Sequence, residues 1–185
     1  MQSTFEDNYY TPDAIKMESN SRDFASRVLT INGNAQAVCT FLRSRSLSFL
    51  ENNQDKILSD SDSSLFVIKE VFYPEFTTRA NYDICRRPGR SDNFGPLFSL
   101  TFTSQRASEA FYNALKCAKG PSLGTNFTLC CPYTLLAHYN ELDWAAKYGV
   151  EEGIVRVSIG MEDRDMLMEW FQDALGVAEA VAGQG

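Results

Sequence analysis

Residues 96–104, PLFSLTFTS, alternate with a period of two: Leu97, Ser99, Thr101 and Thr103 fall on one side, Phe98, Leu100 and Phe102 on the other. Successive side chains of a β-strand point to opposite faces. A strand of this kind is half-buried and needs a layer over its apolar side. Helical segments downstream can supply that layer. Residues 106–118 read as a helix with Ala107, Ala110, Phe111, Ala114 and Leu115 on its inner face, stopped by Gly120-Pro121. The last helix opens near Asp163, which can cap the free N–H groups of its first turn. It buries Leu167, Met168, Phe171, Leu175 and Ala178, and the chain frays from Gly183.

Three further strands are expected. Residues 65–73, LFVIKEVFY, end at Pro74; residues 125–131, TNFTLCC, precede Pro132; and residues 154–159 read IVRVSI. Residues 75–95 look irregular, and residues 133–148 hold one or two short helical turns. At the N-terminal end, Pro12 suits a first helical turn. From there to about Arg45 the residues Ile15, Phe24, Val28, Ile31, Ala35, Val38, Phe41 and Leu42 fall near one stripe, which predicts one long helix. The polar stretch 51–64, ENNQDKILSDSDSS, reads as a loop. Strands and helices are mixed without regular βαβ alternation. The expected class is α+β, a mostly antiparallel sheet with helices on one face, preceded by the long helix.

Composition excludes some functions. A formal net charge of −7 argues against a nucleic-acid binder, which needs a basic face. The five cysteines are Cys39, Cys85, Cys117, Cys130 and Cys131; no CxxC occurs and the one histidine is His138. Neither a disulfide scaffold nor a zinc site is expected from that set. Free thiols, no secretory pattern at the N-terminus and no apolar run of membrane-span length lead us to expect a cytoplasmic protein without a membrane partner.

Specific strings go further. Residues 119–131 read KGPSLGTNFTLCC, residues 141–149 ELDWAAKYG, and residues 153–163 GIVRVSIGMED. Together these resemble the C-terminal end of the Cys/Met-metabolism family of pyridoxal-phosphate (PLP) enzymes. ANYDICRRPG at 80–89, FGPLFSLTF at 94–102 and EDNYYTPDAIKMESNSRDFASRVLTIN at 6–32 look like the fungal cystathionine γ-synthase branch of it. The resemblance runs from about Glu6 to Val181. It implies the C-terminal small domain of a fold-type I PLP-dependent transferase. Residues 1–50 would be an N-terminal segment and connecting helix, residues 51–185 the α+β domain, and the large PLP-binding domain would be absent.

The resemblance also implies roles. Arg156, in the "R-x-S-x-G" strand, would clamp the α-carboxylate of an amino-acid substrate, a task that suits a planar guanidinium. Ser122, Leu123 and Gly124 would line the same pocket. Each has a plainer reading beside it: Arg156 as an ion-paired strand residue, and 122–124 as a helix-to-strand turn. Cys130 and Cys131 point to opposite faces and read as packing. His138 reads as structural, Trp144 and Trp170 as core, and the acidic pairs 151–152 and 162–163 as turn and cap residues. Bacterial-type members carry a glutamate a few residues after the "SLG" turn, where this chain has Phe127.

In the family, a lysine in a Ser/Thr-rich motif anchors PLP, and the large domain supplies a phosphate loop, a stacking ring and an aspartate. None of those strings occurs here, and Lys16, Lys56, Lys69, Lys116, Lys119 and Lys147 stand in other contexts. No catalytic, cofactor-anchoring or metal-binding residue is therefore expected in this chain. Two readings stay open. The chain is either the substrate-side part of a γ-replacement enzyme, joining an activated homoserine to cysteine or a related thiol, or a non-catalytic remnant or interaction module associating with a full-length PLP enzyme; the expected protein partner is a PLP-binding subunit or a second copy in a homo-oligomer. An incomplete gene product is a third.

Overall fold

The computed structural model describes residue 6 and residues 8–52, 66–86 and 94–183. Most of the polar 51–64 stretch, the first residue of the expected 65–73 strand, residues 87–93 and the last two residues lie outside it.

Among the described residues, five strands form one sheet in the order β1-β2-β5-β4-β3. They are β1 (Ile68–Phe72), β2 (Leu97–Phe102), β3 (Ala118–Lys119), β4 (Leu129–Pro132) and β5 (Val155–Ser158). Three of the four pairings are antiparallel, and β3 joins β4 in parallel. The expectation of a mostly antiparallel sheet agrees with this. β3 is a difference. The helix expected to run to residue 118 ends at Ala114, because Leu115 already adopts an extended conformation (φ −64°, ψ 118°). The next residues then reach the sheet edge.

The alternation in β2 sets the layers. Phe98, Leu100 and Phe102 are buried on one face, level with Val157 and Val155 of β5. The helices α6 (Gln105–Ala114) and α9 (Arg164–Ala182) lie over that face. Phe111 contacts Phe102 with ring centroids 5.2 Å apart, and Phe171 contacts both Phe98 and Phe111 at 6.2 Å. Both helices are capped by the residue before them. Ser104 Oγ accepts from Ala107 N, and Asp163 Oδ1 accepts from Asp165 N (3.0 Å) and Met166 N (3.2 Å), as expected of a cap.

β1 reaches the same core through a register shift. Ile68 faces Phe102 and Val71 faces Leu100, with an irregularity between Ile68 and Glu70. A regular strand would put positions three apart on opposite faces; the bulge lets both be buried. Gln36 and Arg43, both on the helix α2 (Phe24–Ser44), tie that helix to this edge by bonding Glu75 and Glu70.

The single long helix of the sequence reading is two helices. α1 (Thr11–Ser21) and α2 (Phe24–Ser44) are separated at Arg22 and Asp23. Arg27 holds the break: its Nη2 donates to Asn20 O (2.7 Å) and its Nε to Asp23 Oδ1 (2.9 Å). The guanidinium thus satisfies the carbonyl that a continuous helix would have given to the N–H of Phe24. Ala35, Val38, Cys39 and Leu42 of α2 belong to the main core, whereas Ile15 and Phe24 of the expected stripe are exposed.

Three short helices precede or follow β1: α3 (Leu47–Asn52), α4 (Pro74–Thr77) and α5 (Arg79–Cys85). The last two occupy part of the 75–95 stretch read as irregular. Residues 133–148 form α7 (Tyr133–His138), a 3-10 turn (Tyr139–Glu141) and α8 (Leu142–Ala146). Trp170 packs against the core, but Trp144 does not belong to it. It is 50 % exposed and stacks on Tyr148 (4.9 Å between centroids), because α8 presents only Ala145 inward.

Candidate functional site

The face of the sheet opposite the helices carries the candidate site. β5 is the middle strand, so its outward residues are flanked on both sides. Arg156 lies between Ser99 of β2 and Cys131 of β4. The guanidinium has three identifiable neighbours. Its Nη2 donates to Pro121 O, it lies 4.6 Å over the Tyr133 ring, and Cys131 stands directly across from it on β4. Burial pushes that thiol up in pKa, and the arginine charge opposes the shift. A guanidinium has five N–H donors in a fixed fork, so donors remain for a ligand. The tyrosine face fixes the plane of the fork without consuming a donor.

The turn 122–124 sits beside this arginine. Pro121 O touches Arg156, and Gly124 N donates to Ser158 Oγ (3.0 Å), two residues further along β5. Gly124 has φ +74°, a conformation that favours glycine. Ser122 and Leu123 are exposed. The next contact comes at Gly160. A Cβ there would lie 2.4 Å from the Phe127 carbonyl carbon, so only glycine lets the two backbones approach. Met161 N closes the run by donating to Asn126 O (2.8 Å). Residues 121–127 therefore lie along the open side of positions 156, 158 and 160.

A polar cluster holds the far end. The Glu162 carboxylate accepts from Thr128 N (2.6 Å) and Thr128 Oγ1 (2.8 Å), and Gly160 N donates to the same Oγ1 (3.0 Å). Buried Asn34 of α2 donates to Glu162 O (2.9 Å) and Gly160 O (3.3 Å). Arg27 Nη1 donates to Asn126 Oδ1 (3.2 Å), so the helix break is tied to the same turn. Glu162 is thus more than a turn residue, and Asn34, Tyr133, Ser158 and Thr128 are positions that sequence reasoning missed. The missed signal is the alternation in RVSIGMED: Arg156, Ser158, Gly160 and Glu162 are every second residue and all serve the 121–128 segment.

Other sequence candidates lie elsewhere. A His138 ring nitrogen meets Glu141 (2.6 Å), and the ring stands edge-on to Tyr133, a local packing arrangement. Cys130 points into the core. Among the described residues no cluster of three or more His, Cys, Asp or Glu side chains is placed to hold a metal ion, and no helix is long and apolar enough to cross a membrane.

The pattern of the Cys/Met metabolism PLP-dependent enzymes matches residues 22–176. The chain belongs to that family. It is 49 % identical to the cystathionine gamma-synthase-like enzyme iboG2 of Amanita muscaria, over 97 % of this chain and 28 % of that protein. It is 42 % identical to the cystathionine gamma-synthase of Neurospora crassa, over 97 % of this chain and 25 % of that protein. The chain spans about a quarter of the length of these curated relatives. Among solved structures, the cystathionine gamma synthase of Xanthomonas oryzae in complex with cystathionine superposes with a TM-score of 0.64 at 21 % identity, covering 86 % of this chain and 36 % of that one. Yeast cystathionine gamma-lyase gives 0.63 at 23 %, over 84 % and 36 %. These likenesses show the fold, and the family's fungal relatives carry the sequence match.

The family is PLP-dependent, and three of the described lysines are engaged within the chain. Lys69 pairs with Glu151, Lys116 with Asp173, and Lys119 donates to two main-chain carbonyls. What the open face offers is a cation, a hydroxyl and main-chain groups, which suit a carboxylate.

Proposed function

We propose that this chain supplies the amino-acid-binding side of a cystathionine γ-synthase-type site, with Arg156 receiving the substrate α-carboxylate and Ser122, Leu123 and Gly124 forming the adjoining wall. The observation that carries this reading is the placement of Arg156. It stands on the middle strand, oriented by Pro121 O and Tyr133 and across from Cys131, with the 122–124 turn against it. PLP, supplied with a partner half, would provide the electron sink for replacing the γ-substituent of an activated homoserine by cysteine or a related thiol. This chain would hold and orient the amino acid.

The test has two arms. L-Cystathionine is titrated while the Arg156 Nε–H resonance is followed by NMR, against the same ligand with its carboxylates esterified. A shift with the free acid alone, lost in Arg156→Met, supports the reading; equal shifts with both ligands overturn it. In the second arm the chain is co-expressed with the PLP-binding half of a fungal relative, and cystathionine formation is followed. Turnover in the mixture that Arg156→Met abolishes is expected. A mixture with a formed complex and no dependence on Arg156 defeats the proposed role.

A non-catalytic association module is the second reading, and one observation favours it. Tyr10 just before α1, Ile15 and Met17 on it, and Phe24 at the start of α2 are each more than half exposed, at 67 %, 65 %, 58 % and 61 %. Scattered apolar residues need no explanation, but a run along one helical stretch does. Sedimentation of the purified chain decides it: a monomer at tens of micromolar removes self-association from consideration.

A further inference from the structure

Arg27 touches both the α1–α2 break and the segment that lies along Arg156. Its Nη2 donates to Asn20 O (2.7 Å), its Nε to Asp23 Oδ1 (2.9 Å) and its Nη1 to Asn126 Oδ1 (3.2 Å). The break itself, Asn20-Ser21-Arg22-Asp23, holds no proline or glycine. Helices kink at such residues or where a side chain enters the ladder of main-chain bonds, and here that side chain is Arg27. The backbone leaves the helix at one residue. Arg22 keeps φ −60° and ψ −34°, whereas Asp23 has φ −98° and ψ 7°. Helical values are about −63° and −42°, so a modest rotation at Asp23 would turn Asn20 O toward Phe24 N. α1 has no buried residue, so its swing uncovers no core. The inner side of the break is a polar cleft of about 460 Å³, lined by Ser19, Asn20, Arg22, Asp23, Arg27 and Asn126, which leaves room for the motion.

We infer that the α1–α2 break is a two-position hinge, and that Arg27 locks its bent position to the segment 121–127. In the bent position Asn20 O and Asp23 aim the guanidinium, and its remaining arm holds the Asn126 side chain. In the straight position Asn20 O joins the helix ladder and turns away from the guanidinium, which then loses the carbonyl that aims it. Asn126 is released with it. Its own main-chain oxygen accepts from Met161 N, and Gly124 N donates to Ser158 Oγ close by, so these two bonds are the ones that loosen. The two positions exchange bonds of similar kind, the condition for a hinge that a small bias can throw. The direction of α1 is thereby felt at the wall formed by Ser122, Leu123 and Gly124. What that wall holds rests on the function proposed above; the coupling does not.

The test is amide hydrogen exchange, read by NMR on the full chain without ligand, so failure of the carboxylate-binding reading leaves it untouched. Arg27→Met removes the clamp without changing helix propensity, since arginine and methionine rank alike. The Phe24 amide should then exchange about tenfold more slowly, as it enters the ladder, while Gly124 and Met161 exchange about tenfold faster. Leu100 and Val157, in the middle of the sheet, should not change. Opposite shifts at the two ends are a signature that general destabilisation cannot give. Asn126→Ala, at an exposed position, cuts the link from the other side. It should speed Gly124 and Met161 and leave Phe24 as in the parent, because Asn20 and Asp23 still hold the guanidinium. Arg27→Lys keeps the charge without the fork and should fall between parent and Arg27→Met. A Phe24 amide as fast in Arg27→Met as in the parent, Gly124 and Met161 unmoved in both variants, a rise shared equally by Leu100 and Val157, or a lysine that matches arginine would each overturn the hinge.

Discussion

Gly160→Ala is the sharpest test of how the open face is assembled. The new methyl would lie 2.4 Å and 2.5 Å from main-chain carbons of Phe127, and 2.6 Å from a Glu162 oxygen. Neither backbone can yield as a side-chain tip can. Overpacking alone costs about 1–3 kcal/mol. Pushing residue 127 outward also strains the bonds from Gly160 N to Thr128 Oγ1 and from Asn34 to Gly160 O, and a buried polar group left without its partner costs about 1–3 kcal/mol. The sum is roughly 3 kcal/mol or more, a large part of the ~5–15 kcal/mol of a typical domain. For a chain of this size that is a fall in Tm of roughly 6–12 °C. Thermal and urea unfolding of three alanine variants would make the measurement internally controlled. Gly124→Ala meets nothing within 4 Å but must hold φ +74°, so it should lose about 1–2 kcal/mol from backbone strain. Gly176→Ala, on exposed helix surface with nothing within 4 Å, should gain about 0.8–1 kcal/mol. If Gly160→Ala unfolds with the parent, or the three variants shift alike, the close approach of residues 127 and 160 is not what holds the segment.

Asp163→Ala should cost about 1 kcal/mol through the lost cap of α9, with Asp163→Asn recovering most of it in urea unfolding. Glu162→Gln keeps one acceptor for Thr128 but loses the charge; a loss of about 1–2 kcal/mol is expected, smaller than for Glu162→Ala. Thiolate absorbance near 240 nm (about, for the sulfur chromophore) should show one group titrating well before the rest. Cys130 is held down to about 7 by Cys117 and by Lys119, while Cys117 is pushed up by Cys130 and by burial. Tyr112, beside Lys119, is also pushed up by burial, and so is Cys131 on the opposite face. The sign follows from linkage: a depressed folded pKa adds stability that grows as pH rises from about 7 toward the ordinary thiol value of 9.0 and is lost on acidification through 7. Above that range the raised Cys117 works in reverse. A flat unfolding midpoint between pH 7 and 9 in the parent, unchanged in Lys119→Met, would contradict this.

Periodicity located β2 and β5 well because each alternates over its whole length and ends at a turn. It also found the buried face of α9, where Leu167, Phe171, Leu175 and Ala178 recur at helical spacing. It could not find the break between α1 and α2, because NSRD contains no proline or glycine and the stripe continues across it. The cause is Arg27, a side chain that reaches back to Asn20 and across to Asn126. β3 was invisible for a different reason: two residues carry no period, and only the register with β4 defines them. Trp144 was misplaced because an aromatic among apolar neighbours looks like core when the helix has just one inward residue. At the site, Arg156 stood out through the resemblance and not through its own spacing. Tyr133 and Cys131 could not be read at all, since their contact with Arg156 depends on which strands are neighbours.

The attachment of residues 121–127 to β5 has a consequence for how such a surface can change over time. On the segment's side the anchoring atoms belong to the main chain: Pro121 O, Gly124 N, Asn126 O and the Phe127 backbone. No anchor requires a particular side chain at 122, 123 or 127. Side-chain chemistry at those three positions is thereby uncoupled from folding, so substitutions there can accumulate one at a time while the cation beneath stays where it is.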